Sequence, residues 1–195
     1  TLTLSGTNTY TGGTTINAGA VAVTSTGTLG GASGNLTMTG TSTLDLQMAL
    51  SVGNLVMASG NSITNTTGTS SLAVSGTSTL ANSITTSGTQ TYTGAVTLLA
   101  NTTLTTTDAA VTFADAVTGS GKSLTVSAGS GAISMSTVGV SGTSIGALTL
   151  NSTGVTTLGG AVYAASVTTN AGGSVAINTT TVTTTGAQTY NDAVT

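Results

Sequence analysis

Gly88-Thr89-Gln90-Thr91-Tyr92-Thr93-Gly94-Ala95-Val96-Thr97 returns late in the chain as Gly186-Ala187-Gln188-Thr189-Tyr190-Asn191-Asp192-Ala193-Val194-Thr195. An earlier relative is Gly6-Thr7-Asn8-Thr9-Tyr10-Thr11-Gly12-Gly13. Tyr92 and Tyr190 stand 98 residues apart. Within that long repeat runs a shorter one: Gly40-Thr41-Ser42-Thr43-Leu44, Gly76-Thr77-Ser78-Thr79-Leu80 and Gly142-Thr143-Ser144-Ile145. Self-similarity of this kind signals stacked units, each too small to bury a core alone.

The units themselves read as strands. Large apolar residues alternate with small or polar ones at Leu2 and Leu4, Val21 and Val23, Leu44 and Leu46, Leu72 and Val74, Leu124 and Val126, and Val175 and Ile177. Period-two alternation places one side chain in and the next out. Gly12-Gly13, Gly30-Gly31, Ser59-Gly60-Asn61 and Ala171-Gly172-Gly173 punctuate the runs as turns. Thr and Val are stiff, β-branched residues suited to a pleated surface, and Glu and Arg are absent. No helix is expected. Short strands, small repeats and Gly corners point to an all-β fold, a parallel β-helix or β-solenoid. At about 20 to 25 residues per coil the chain makes about eight or nine coils, stacked about 4.8 Å apart. Val, Leu, Ile and Ala fill the interior, while Thr and Ser face water. The absence of Pro agrees, since Pro removes ladder hydrogen bonds.

Composition excludes whole classes of function. The 195 residues hold one Lys or Arg, four acids and no His, and only 3% are charged. There is no Cys. Zinc sites and Ser-His-Asp triads lack their parts, so no metal or cofactor is expected. One Lys cannot neutralise a row of phosphates, which argues against nucleic acid. No apolar run reaches the length of a membrane span, so no direct membrane insertion is expected. The chain is nevertheless too apolar for disorder: 37% of residues are hydrophobic and the net charge is only −3. Thr1 opens directly in strand-like sequence, and Thr195 falls just inside a fresh copy of the Tyr unit. We therefore expect residues 1–195 to be a single solenoid segment, a window of a longer repetitive protein.

The stretch Leu4-Ser5-Gly6-Thr7-Asn8-Thr9-Tyr10-Thr11-Gly12-Gly13-Thr14-Thr15-Ile16-Asn17-Ala18-Gly19 resembles the autotransporter-associated β-strand repeat of bacterial autotransporter passengers. The stretch Thr184-Thr185-Gly186-Ala187-Gln188-Thr189-Tyr190-Asn191-Asp192-Ala193-Val194 is similar to the long repeats of filamentous-haemagglutinin-like giant exoproteins. These resemblances imply a right-handed parallel β-helix, exported and displayed or shed outside the cell, acting in adhesion or as a stalk. They bring no catalytic residues.

Several residue groups suggest chemistry. Ala116-Val117-Thr118-Gly119-Ser120-Gly121-Lys122-Ser123 fits a relaxed phosphate-loop pattern, but Leu124-Thr125-Val126 follows as a strand where a helix is needed. Asp108 and Asp115 could form a glycosidase pair, yet Asp108-Ala109-Ala110 reads as a turn. Tyr10, Tyr92 and Tyr190 occupy equivalent repeat positions, as a sugar-stacking platform or, the favoured reading, as structural corner residues. Thr-x-Thr is frequent, and ranks of it on a flat solenoid face can bind ice. That requires one copy at the same place in successive coils, and the spacing along the sequence is irregular. Sequons occur at Asn35, Asn65, Asn101, Asn151 and Asn178.

The leading expectation is a non-enzymatic, structural or adhesive segment of a bacterial surface or secreted exoprotein, meeting host or surface glycans or proteins. A self-assembling filament, joined through solenoid ends or faces, is the first alternative. A glycan-active enzyme and an ice binder follow.

Overall fold

The computed structural model describes all of residues 1–195: 23 strands and no helix. All strand pairings are parallel, and they form a 15-stranded and an 8-stranded sheet. The expected β-solenoid is what the chain forms. From Ala49 onward each coil runs along three faces in turn, while the first two coils form strands on only two of them.

The broad face begins with Leu2–Leu4, Gly19–Val23, Ser42–Leu46 and Ser62–Thr64. It continues through the C-terminal halves of Ser78–Thr86 and Val96–Thr106, then Leu124–Gly129, Ile145–Ser152, the end of Val162–Thr169 and Gln188–Tyr190. Its inward residues align as Val21, Leu44, Ile63, Ile84, Leu104, Val126, Leu150, Thr169 and Tyr190. Steps down this column vary between 19 residues, Leu44 to Ile63, and 24, Val126 to Leu150. The longest step holds a small excursion, Gly139–Ser144, pinned where Val140 and Thr143 pair antiparallel. Ten rungs separated by nine steps give a stack about 43 Å long.

The second face carries Thr14–Ile16, Leu36–Met38, Leu55–Met57, the first halves of Ser78–Thr86 and Val96–Thr106, Val117–Thr118 and, later, Val182–Thr184. The third face is the 8-stranded sheet: Ala49–Val52, Ser71–Val74, Gln90–Tyr92, Val111–Phe113, Ile133–Met135, Val155–Leu158, Ser174–Ile177 and Ala193–Val194. Inward side chains of the three faces merge into one core of 37 buried residues.

Corners are cut by residues that tolerate unusual backbone. Gly40 has φ of +59°, and a Cβ there would collide with the Asn17 carbonyl of the preceding coil. Asn82, with φ of +59°, turns the chain from the second face to the broad face inside the continuous run Ser78–Thr86. Asn is among the few non-Gly residues that enter this region readily.

The core is not wholly apolar. Thr156 occupies an inward position between Ile133 and Val175 and is fully buried, and its Oγ1 has no partner. A buried, unbonded hydroxyl costs stability, so the near-isosteric Thr156→Val should raise stability by about 1 kcal/mol. Urea unfolding checks this; a loss would place the hydroxyl in a bond with water.

Candidate functional site

Tyr92 and Tyr190 rebuild one local corner at two different places. Tyr92 is fully buried on the third face, its ring stacked on Phe113 with centroids 5.1 Å apart and planes 14° off parallel. Its hydroxyl donates to Gln90 Oε1 at 3.0 Å, while Gln90 Nε2 donates to the Ile84 carbonyl, Thr86 Oγ1 and the Thr105 carbonyl. Around Tyr190 the same bonds recur: Tyr190 Oη donates to Gln188 Oε1 at 3.1 Å, and Gln188 Nε2 donates to the Val182 carbonyl and Thr184 Oγ1. Yet Tyr190 pairs into the broad face, not the third. Burial pushes both phenols above their ordinary range.

The equivalence expected of the three tyrosines is therefore local only. Following the third face from Tyr92 leads through Phe113 and on to Leu158 and Ile177, so 98 residues are not a whole number of coils. Tyr10 differs again. It lies outside any strand, 42% exposed, hydrogen-bonded to Thr14 Oγ1 at 2.7 Å, with its ring over Gly30. The three rings do not line one face and make no common platform.

The acidic and basic leads separate in space. Gly119–Lys122 is a turn closed by Lys122 N donating to the Gly119 carbonyl at 2.9 Å, and the strand Leu124–Gly129 follows. No helix N-terminus stands there to hold a phosphate. Asp108 sits at a corner with φ of +55°, its Oδ1 accepting from Ser130 N, while Asp115 accepts from the neighbouring Ala116 N. The strand Val111–Phe113 lies between them, and both act as turn residues.

Asp45 ties two coils together. Its carboxylate accepts from Thr66 Oγ1 at 2.6 Å, from Thr66 N at 2.9 Å and from Gln47 Nε2 at 2.7 Å. Partial desolvation raises its pKa, but the three hydrogen bonds together outweigh that and hold it below the ordinary 3.8. A depressed folded-state pKa adds stability that is complete above the unfolded value and is lost as pH falls through the folded one. Urea midpoints should therefore drop below about pH 4, and Asp45→Asn should flatten that drop. An unchanged slope would remove Asp45 as its source.

Asparagines that read as turn and sequon residues in the sequence also clamp neighbouring coils. Asn61 is fully buried at a corner. Its Oδ1 accepts from Ser42 N and Ser42 Oγ, and its Nδ2 donates to the carbonyls of Met38 and Ala58. Asn35, Asn54 and Asn101 each accept a backbone N–H from the following coil. Among the sequons, Asn65 has its Nδ2 committed to the carbonyls of Leu46 and Thr67.

The largest change from expectation concerns threonine. Although Thr-x-Thr is irregular along the sequence, the coils bring it into register on the outside of the broad face. One outward column runs Ser62, Ser83, Thr103, Thr125, Thr149 and Thr168. Two residues along each strand a second column runs Thr64, Thr85, Thr105 and Ser127, bounded by Asp45 and Asn151. Coil length varies from 19 to 24 residues, and the corners absorb the variation while the ladder keeps the rungs in register.

A family model described as passenger-associated-transport-repeat matches residues 1–23, which span the first rung and its return to the broad face. No curated protein and no solved structure matches the chain.

Proposed function

We propose that this chain is a non-enzymatic structural segment of a bacterial β-helical exoprotein, displayed on the outer cell surface or secreted, and used as a stalk or adhesive surface. One observation carries the proposal: the passenger-repeat match at residues 1–23 leads into an unbroken parallel stack of ten rungs. Such a stack is a rigid rod whose length scales with coil number. Its outside carries hydroxyls and few charges, a surface able to meet glycans or proteins through hydrogen bonds.

Display tests this directly. Residues 1–195 are placed between an export signal and an autotransporter barrel, and intact cells are treated with protease. Accessible, folded rods on the surface support the proposal; retention inside the cell overturns it. Beads coated with the protein test adhesion to host cells and glycan surfaces, and the absence of capture would leave the stalk role alone.

Self-association through faces is part of the same proposal. With 3% of residues charged, copies repel one another weakly. Sedimentation over a dilution series reads it, and single rods at every concentration would remove it.

A further inference from the structure

We propose that the outward broad face is an ice-binding plane. The pairs Ser83 and Thr85, Thr103 and Thr105, and Thr125 and Ser127 stand on three successive rungs with no shift of register between them. The pair Ser62 and Thr64 precedes them in the same columns. Hydroxyls therefore repeat in two directions at once: about 4.8 Å from rung to rung and about 6.6 Å along each strand. Both repeats lie close to oxygen spacings on a prism plane of hexagonal ice.

Three further properties suit that ligand. The six hydroxyls are free of strong bonds to the protein: only Ser127 Oγ has a protein partner, a long 3.4 Å contact from Asn151 Nδ2. They are thus open to water on the outer side. The array is also rigid. Threonine is restricted at χ1, and neighbouring rungs hold one another in rank on a parallel ladder, so little freedom is lost when water orders over them. Finally, the six positions carry no charge, which would gather a disordered hydration shell instead. Asp45 and Asn151 stand only at the borders of the second column.

Ice is favoured over a crystalline polysaccharide by what the face lacks. Sugar surfaces are gripped by aromatic stacking, and no aromatic side chain stands among these outward columns. Tyr92 points into the core, and Tyr163 pairs alongside Thr183 on the second face. On the third face one outward hydroxyl column runs Thr91, Thr112, Ser134 and Thr157. Where a strand of that face offers a second outward position it is often Ala or Val, as at Ala49 and Val155. The second face has mostly one outward position per rung, such as Thr15, Thr37 and Val56. They present a line of hydroxyls rather than a plane.

The test is retention of fluorescently labelled protein in a slowly growing ice hemisphere, with microscopy of ice crystal habit. The protein should concentrate in the ice and shape the crystals. Thr103→Tyr puts a bulky ring into the middle of the plane at an exposed position and should abolish retention. Thr112→Tyr makes the same change on the third face and should retain it. Circular dichroism confirms that both variants keep the solenoid. Exclusion of the native protein from ice overturns the proposal, as does equal retention of the two variants. Adsorption to crystalline cellulose or chitin that Thr103→Tyr removes, without ice retention, also overturns it and gives the face to a polysaccharide.

Discussion

Phe113→Ala should cost on the order of 3–5 kcal/mol, the usual range for emptying an aromatic site in a packed interior. Phe113 is 1% exposed and stacks against Tyr92, so its removal takes away both burial and the ring-on-ring contact. The cost is large because the site cannot collapse. Each neighbouring coil is fixed by its own ladder, and backbone spacing between rungs cannot shrink to close the gap. In a stack where each coil meets only its neighbours, the damage is local and divides the rod into two halves. Urea unfolding should then show a lower midpoint and a broader transition. Phe113→Leu should cost much less, about 1 kcal/mol, because most of the volume survives. Equal losses for the two variants would sink the assignment of Phe113 as a core-filling ring.

Asn61→Ala should be the next most damaging change, at about 3 kcal/mol. The side chain satisfies Ser42 N, Ser42 Oγ and two carbonyls in a place with no exposure. Removing one partner leaves buried groups unbonded, and each such group costs about 1–3 kcal/mol, less where water enters the space left behind. Asn101→Ala is the matched control. Asn101 also clamps two coils, but at an exposed corner and through a single bond to Ser123 N. Water replaces that bond readily, and a loss under about 1 kcal/mol is expected. If both variants lose the same amount, burial is not what makes Asn61 matter.

The fold was legible because parallel solenoids leave their marks in local sequence. Alternating Leu44 and Leu46 face inward, and glycines such as Gly40 cut the corners. Less legible was anything that depends on which coil lies above which. Gln90, Asn61 and Thr156 are polar residues inside the core, invisible to a rule that puts apolar residues in and polar ones out. The Tyr92 and Tyr190 copies share the three hydrogen bonds made within their own run of chain, yet sit on different faces, because that Gln-centred corner is local. Only the Gln90 bond to the Thr105 carbonyl of the next coil has no counterpart. The hydroxyl plane was hidden for a related reason. Coils of 19 to 24 residues scramble the sequence period while the ladder keeps the spatial one.

The pairing pattern has a kinetic consequence. Every ladder contact joins residues about one coil apart, so sequence separation divided by chain length is about 0.1, within the range of fast-folding helical bundles and well below sandwiches and barrels. Closing each new coil is a loop of about 20 residues, whose entropic cost does not grow with the number of coils already formed. The slow event is the first pair of coils, which must find register without a template. After that each coil docks on a finished edge, much as a crystal grows from a seed. Lengthening the protein by further coils should leave the time per coil unchanged.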